Sequence, residues 1–330
     1  MNNINLAIVG FGRIGKIHAS NILASENINL KIIIDPILDI NEKFTSIGIS
    51  QSKEINDLLN LDNIDGVIIC SPSQYHIEQI KQISQKTKNI FCEKPLGLSV
   101  SEIMDIKSLV TDNKLNLHVG FNRRYDPDFS SLKTAISNGE IGDIHTIKIT
   151  SRDPSPPPIS YIKNSGGIFL DMTIHDFDMV KYLSGSEISK IYVKGGCFID
   201  PEIEKANDID TAIINMNLKS GVLATINNSR KAIYGYDQRV EVLGSKGTLK
   251  VGNRLLSGLQ KGTKNGFTSA NPKNFFIDRY NKSYQKEISD FIESIKGKIV
   301  EYANVDDGLH ALKCGLAANK SLLNNTPVMV

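Results

Sequence analysis

The chain has no tryptophan and only 4 cysteines among its 330 residues. Cys70, Cys92, Cys197 and Cys314 form no C-x-x-C pair and cluster with no histidines at metal-ligand spacing. A disulfide framework and a thiolate metal centre are thereby excluded, and the four thiols read as reduced and structural. No stretch approaches 18 consecutive apolar residues, so no transmembrane helix is expected. The N-terminus lacks a basic region before its first apolar run, which reads as a strand rather than a leader. An excess of one charge is missing too: 38 basic and 36 acidic side chains leave a formal +2. That balance gives no footprint for nucleic acid or an anionic membrane. The expectation is a cytoplasmic, globular protein, long enough for two domains.

What is present begins at once. The strand pattern Ile4-Asn5-Leu6-Ala7-Ile8-Val9 runs into Gly10-Phe11-Gly12-Arg13-Ile14-Gly15. A second apolar strand, residues 30–34, ends on Asp35. This is G-x-G-x-x-G between strand and helix, with an acidic residue about 20 positions on, the fingerprint of a dinucleotide site. Gly10 serves a tight turn, Gly12 close approach to a pyrophosphate, and Gly15 helix–sheet packing. The helix starting at Arg13 aims its N-terminus at the phosphates. Asp35 accepts from ribose hydroxyls and repels a 2′-phosphate, and Pro36-Ile37 adds no base, so NAD is favoured over NADP.

The rest of the first third alternates strand and helix, as a parallel sheet covered on both faces requires. Strands are expected at 66–70, 89–92 and 115–119, and a short one at 44–49. Helices are expected at 13–26, around 55–59 and from His76. Ser99-Val100-Ser101-Glu102 is a capping box just after the loop that holds Lys94. After about residue 120 the pattern changes. Helices are expected at 126–138, 171–184 and 306–324, and one from Asn271-Pro272 to Gly297. β-branched runs at 144–150, 188–198, 209–218, 221–228, 238–244 and 247–251 predict one large, mainly antiparallel sheet. Residues 254–270 read as a mobile loop. The expected fold is α/β, with a Rossmann domain at 1–121 and an α+β domain at 122–330 for substrate binding and oligomerisation. The last helix is free to pack back on the first domain.

Three further stretches carry candidate chemistry. Ser71-Pro72-Ser73-Gln74-Tyr75-His76 follows a strand at the sheet's carboxyl end, where ligands bind. Ser71 and Pro72 shape that loop, and His76 is either near the cofactor or structural. Glu93-Lys94-Pro95 ends another strand. Lys94 either donates to a substrate oxygen as negative charge develops there, or is a surface lysine paired with Glu93. Asp171 and His175 are four residues apart, hence on one face of a continuous helix. They read as a general base with the carboxylate that orients it, or as a helix-terminal aspartate and a half-buried histidine. Gly166-Gly167 just upstream would let backbone come close to a ligand. No second histidine or cysteine accompanies His175, so no metal is expected. Arg124, Arg152, Asp153, Asn227 and Tyr234 add donors and acceptors suited to a hydroxyl-rich polyol, and Pro154 to Pro158 stiffen a wall.

With the fingerprint, Glu93-Lys94-Pro95 and Asp171-x-x-x-His175 in this order, the chain resembles the Gfo/Idh/MocA family of oxidoreductases over essentially its whole length. Residues 151–161, 166–169 and 234–239 look most like the branch that oxidises inositol. The resemblance implies that Lys94, Asp171 and His175 are catalytic and that a hydride passes from a ring carbon to NAD. It implies myo-inositol, oxidised at C2 to 2-keto-myo-inositol, with scyllo- or chiro-inositol or a related sugar as the alternative. It also implies a homotetramer formed through the second-domain sheets. A non-catalytic NAD-binding regulator would lack part of this residue set, which is complete here.

Overall fold

The structure, a computed structural model, describes residues 3–37 and 42–330. By its contacts the chain divides into two compact units, Met1–Tyr125 with Lys282–Leu312, and Asp126–Asn281 with Lys313–Val330.

The first unit opens with β1 (Ile4–Val9), α1 (Arg13–Leu23), β2 (Ile28–Ile34), α2 (Glu42–Thr45), β3 (Ser50–Ser52) and α3 (Ile55–Leu59). It continues with β4 (Gly66–Ile69), α4 (His76–Ile83), β5 (Asn89–Glu93), α5 (Val100–Asn113) and β6 (Asn116–Gly120). All six strands pair in parallel, in the order β3-β2-β1-β4-β5-β6. The order reverses beside β1, so the crevice for a ligand lies at the carboxyl ends of β1 and β4. Leu6, Ile8, Ile33, Ile68 and Phe91 form the core, closed by Ile288, Phe291 and Ile292 from late in the chain. The Ser99 hydroxyl accepts from the Glu102 N–H at 3.5 Å and caps α5. The strand expected at 44–49 is instead the helix α2 followed by a turn, with strand only at β3. Phe44 packs edge-on to Phe11, 5.3 Å between centroids. That contact with the glycine loop outweighs local β propensity.

The second unit holds α6 (Pro127–Ser137), β7 (Ile144–Arg152), α7 (Ile159–Ile162), α8 (Gly167–Asp171), α9 (Ile174–Ser184), β8 (Ile188–Gly196) and α10 (Pro201–Lys205). Then come β9 (Thr211–Leu218), β10 (Leu223–Ser229), β11 (Asp237–Gly244), β12 (Gly247–Val251), β13 (Gln260–Thr263) and β14 (Gly266–Ser269). The chain ends with α11 (Phe276–Ile295), α12 (Val305–Asn324) and β15 (Val328–Met329). A seven-stranded sheet runs β12-β11-β7-β10-β9-β8-β15, antiparallel except for the β7–β10 pair. One face is apolar and buried, with Ile147, Ile149, Ile214, Met216, Ile226, Val240 and Val242. The alternate residues, among them Ile213, Leu223 and Leu243, are exposed.

Three expectations fail here. Residues 254–270 contain the hairpin β13–β14, whose residues are all exposed. The long helix starts at Phe276, not at Asn271-Pro272. The Asn271 and Lys273 carbonyls accept from the Leu256 and Tyr236 N–H groups, and the Lys273 N–H donates to the Arg254 carbonyl. Distant backbone thus takes the groups a helix start would use. The third is the helix expected over 171–184, which is broken. The Met172 and Thr173 amides both donate to the Ile168 carbonyl at 2.9 Å, closing α8 before α9 begins.

Candidate active site

At the carboxyl end of β1 the three glycines are not interchangeable. Gly10 has φ +92°, and a Cβ there would lie 2.4 Å from the Ser71 nitrogen. A Cβ on Gly15 would lie 2.1 Å from the Gly10 carbonyl oxygen. Gly12 faces open space, with nothing within 4 Å of its Cβ position. Two glycines therefore serve packing and the third leaves room for a ligand's backbone approach. Gly12 is also the N-cap of α1; it offers no side-chain cap, and the first turn holds no acid. The N-terminus of this 11-residue helix carries the positive end of its dipole, which suits an anion. Asp35 is locked onto the same loop: its Oδ2 accepts from the Phe11 N–H at 2.6 Å and its Oδ1 from the Ile37 N–H at 2.9 Å. Each oxygen keeps a lone pair for a hydroxyl. Phe11 is buried, Ile14 partly so, and Arg13 is exposed. These residues fit the pyrophosphate and ribose of a dinucleotide.

The neighbouring strand ends are tied together. The Ser71 hydroxyl donates to Gln79 Oε1 at 2.5 Å, and Pro72 is exposed beside it. His76 is buried, with Nδ1 2.8 Å from the Pro95 carbonyl and Nε2 2.8 Å from the Ser71 carbonyl. Burial pushes its pKa down despite those carbonyls, so a neutral ring has one N–H for two acceptors. Its ring joins the two loops at the carboxyl ends of β4 and β5. The Glu93 carboxylate lies 2.8 Å from His18 Nε2. Lys94 follows directly, half-buried. Arg124 is buried in the same unit and ion-paired with Asp307 at 3.2 Å.

In the second unit, Asp171 ends α8 while His175 sits in the first turn of α9. Asp171 accepts from the Tyr161 hydroxyl at 2.9 Å and from Arg230 Nη1 at 3.4 Å. Arg230 is 1% exposed and also donates to Asp208 at 3.2 Å. Asp208 in turn accepts the Ile168 N–H at 3.0 Å. Gly167 has φ +80°, and its Cβ would come within 3.0 Å of the Asp208 carboxylate. What this glycine admits is Asp208. Asn228 anchors the start of α9: it accepts from Thr173 at 2.6 Å and donates to Asp176 at 2.8 Å.

Alternation along β10 sends Asn227 to the opposite face from Asn228. There Asn227 Oδ1 accepts from Arg152 at 3.0 and 2.8 Å. Arg152 also donates to the Tyr234 hydroxyl at 3.0 Å, and that hydroxyl donates to Asp237 at 2.6 Å. Burial raises the Asp237 carboxyl, but Arg239, Tyr234 and Asn253 outweigh it and hold its pKa below the usual range. Asp153 is fixed through its backbone to Ser229 and Ala232. The polar candidates of this unit thus form two networks, Arg152–Asn227–Tyr234 on the open face and Asp171–Arg230–Tyr161 beside α8. Sequence reasoning missed Arg230 and Tyr161 as partners of Asp171, and His18 as the partner of Glu93. Only proximity in the fold reveals these pairs, since 59, 10 and 75 residues separate them.

A glycine loop and a fixed acidic strand end at the switch point of a parallel sheet define a dinucleotide-binding oxidoreductase. Residues 4–121 match the oxidoreductase family's NAD-binding Rossmann fold, and residues 133–330 match its C-terminal alpha/beta domain. The chain belongs to the Gfo/Idh/MocA oxidoreductase family. It is 42% identical over 325 residues to the uncharacterized oxidoreductase YrbE of Bacillus subtilis, covering 98% of this chain and 95% of that one. It is 41% identical over 324 residues to the myo-inositol 2-dehydrogenase of Thermotoga maritima, covering 97% and 96%. Among solved structures, the scyllo-inositol dehydrogenase of Lactobacillus casei with bound NAD(H) and scyllo-inositol is similar at TM-score 0.91 and 29% identity, covering 99% of each chain.

Proposed function

We propose that this protein oxidises myo-inositol at C2 to 2-keto-myo-inositol with NAD. One observation carries the dehydrogenase chemistry: the open glycine loop at an uncapped helix start, with Asp35 hydrogen-bonded to that loop. The choice of inositol rests on the relative named myo-inositol 2-dehydrogenase, 41% identical over nearly the whole chain. Gly10, Phe11, Gly12, Arg13, Ile14, Gly15, Asp35 and the Ser71–Pro72 loop would hold the cofactor. When bound, NAD supplies the hydride acceptor. His175 takes the hydroxyl proton as general base. Lys94 donates to the same oxygen and stabilises its growing negative charge. Asp171, held between Tyr161 and Arg230, orients and charge-balances His175. The remaining hydroxyls fall to Arg124, Arg152, Asp153, Asn227 and Tyr234.

We also propose a cytoplasmic homotetramer. The exposed Ile213, Leu223 and Leu243 on one sheet face favour assembly through that face. Among the described residues, no helix is long and apolar enough to cross a membrane.

The test is NADH production by purified protein against myo-, scyllo- and chiro-inositol, glucose and xylose. Myo-inositol gives the highest kcat/KM. Preference for scyllo-inositol would move the substrate toward that of the Lactobacillus casei enzyme and leave the residue roles standing. Light scattering gives the tetramer mass; a monomer overturns the assembly.

A further inference from the structure

Behind the Glu93-Lys94-Pro95 turn lies a closed cluster that the reaction above does not use. His18 of α1, Glu93 of β5 and Glu287 of α11 bring one nitrogen and two carboxylate oxygens within 4.8 Å of one another. His18 and Glu287 are 0% exposed. His18 Nε2 is 2.8 Å from Glu93 Oε1 and 4.0 Å from Glu287 Oε1. Phe91 and Tyr284 both meet the His18 ring edge-on. A Cβ on Gly120 of β6 would come within 2.9 Å of Glu93 Oε2, so the carboxylate lies against that strand.

The Glu93 side chain is 12% exposed, but the fully buried Glu287 beside it needs a neutralising partner, either a proton or a cation. Among the described residues neither carboxylate pairs with a lysine or arginine, and both Glu287 oxygens lack a hydrogen-bond partner. His18 Nδ1 is likewise buried without a partner. His18 Nε2 is placed to donate to the Glu93 carboxylate. A metal fits poorly. Ligands at zinc distances in a tetrahedral shell stand about 3.3 Å apart, whereas His18 and Glu93 are at 2.8 Å. A metal-bound histidine also donates its other N–H to a partner, and Nδ1 has none.

We propose that Glu287 is a carboxylic acid at neutral pH, so that the Glu93 carboxylate accepts from His18, which holds it and so positions Lys94. His18 is then a positioning residue, in a role that rests on the reading of Lys94 given above. Burial first, then the Glu93 charge, holds the Glu287 pKa well above the usual carboxylate range. Of the other titratable groups, Cys70 of β4 and Cys92 of β5 feel the charge of these carboxylates, and Tyr284 of α11 meets the His18 ring. Burial, reinforced by the carboxylates, pushes both thiols up, so they add no charge. A raised folded-state pKa stabilises below the unfolded carboxylate pKa, and that stability is lost as pH rises.

The test uses the full chain. The infrared spectrum of the wild type near about pH 7 shows a protonated carboxylic-acid carbonyl stretch that Glu287→Gln lacks. No such band overturns the proposal. Glu287→Gln, a neutral isostere, melts above the wild type at about pH 8, and the gap narrows toward about pH 5. A gap of the opposite sign overturns it, as does one equivalent of bound metal in the purified protein. For the positioning role, His18→Leu lowers kcat about ten- to hundredfold with little change in KM or NAD affinity. His18→Gln, which keeps a donor, regains most of it; an unchanged kcat in His18→Leu overturns the role. The spectrum and melting curves need no substrate. A wild type inert toward every inositol would therefore fail the proposed function while leaving the proton assignment separately decided.

Discussion

The cofactor loop and the start of α9 are built by opposite means. Around Gly10, Gly12 and Gly15 the decisive contacts are backbone: φ +92° at Gly10, a carbonyl 2.1 Å from a Gly15 Cβ, and amides that hold Asp35. Around Asp171 and His175 they are side chains from distant elements: Arg230, Asp208, Tyr161 and Asn228. A backbone site is specified by a few glycines at fixed spacing. A side-chain site needs every member of a buried network, and each member can fail alone.

Substitutions sharpen this contrast. The largest effect is expected in the side-chain site: His175→Ala lowers kcat by about 10²–10⁴ with NAD affinity nearly unchanged. Stopped-flow rates with isothermal titration of NAD check both halves, and near-full activity would remove His175 from the reaction. Next is Arg230→Met, which leaves the Asp171 and Asp208 carboxylates without their buried cation. Urea unfolding should show a loss of about 3–5 kcal/mol, the cost of stranding buried charge. A loss under about 1 kcal/mol would mean the network is solvated and the contrast false.

In the backbone site a side-chain change should do less. Asp35→Ala weakens NAD about tenfold and erases the preference over NADP, while Asp35→Asn, which keeps one acceptor, falls between. Titration with both cofactors decides it; equal or tighter NADP binding by the wild type would discard the preference.

One further effect, spread over several pH units, is read against pH. His118 is stacked on Tyr302 at 3.7 Å and bonded to Asn116, and burial holds its pKa down to about 3. Its unfolded value is about 6.5, so its stabilisation is complete above that pH. It is lost as pH falls toward the folded value, by up to about 1.4 kcal/mol per unit. Melting of His118→Gln across this range should show a flatter acid limb than the wild type; identical limbs would assign acid sensitivity elsewhere.

The same contrast explains what could be read from the sequence. Glycine spacing, apolar strand runs and Asp35 are local signals, and they made the parallel sheet and its loop legible. The helix expected to run unbroken over 171–184 is split because Ile168 accepts two successive amides and Thr173 reaches Asn228, 55 residues away. Asn271-Pro272 carried the right residues for a helix start, but the Asn271 carbonyl was already engaged with Leu256 and the Lys273 carbonyl with Tyr236. Asn227 and Asn228 are adjacent in sequence, yet strand alternation gives them to different networks. Arg230 and Glu287 offered no local signal at all, because a buried counterion and a buried acid look like surface residues until the fold encloses them.

Ile288, Phe291 and Ile292 close the core of the first unit although they lie beyond the whole main segment of the second. During synthesis the glycine loop leaves the ribosome early and the helix that seals its sheet leaves near the end. Through most of translation the face of Phe91 and Ile8 that α11 will cover stays open, with no sequence yet made that can fill it. Such a surface is the kind that chaperones shield. Slow translation between residues 126 and 281 would prolong that exposure rather than help the first unit fold. Yield in cells should therefore respond more to codon changes in that interval than to equal changes after residue 312.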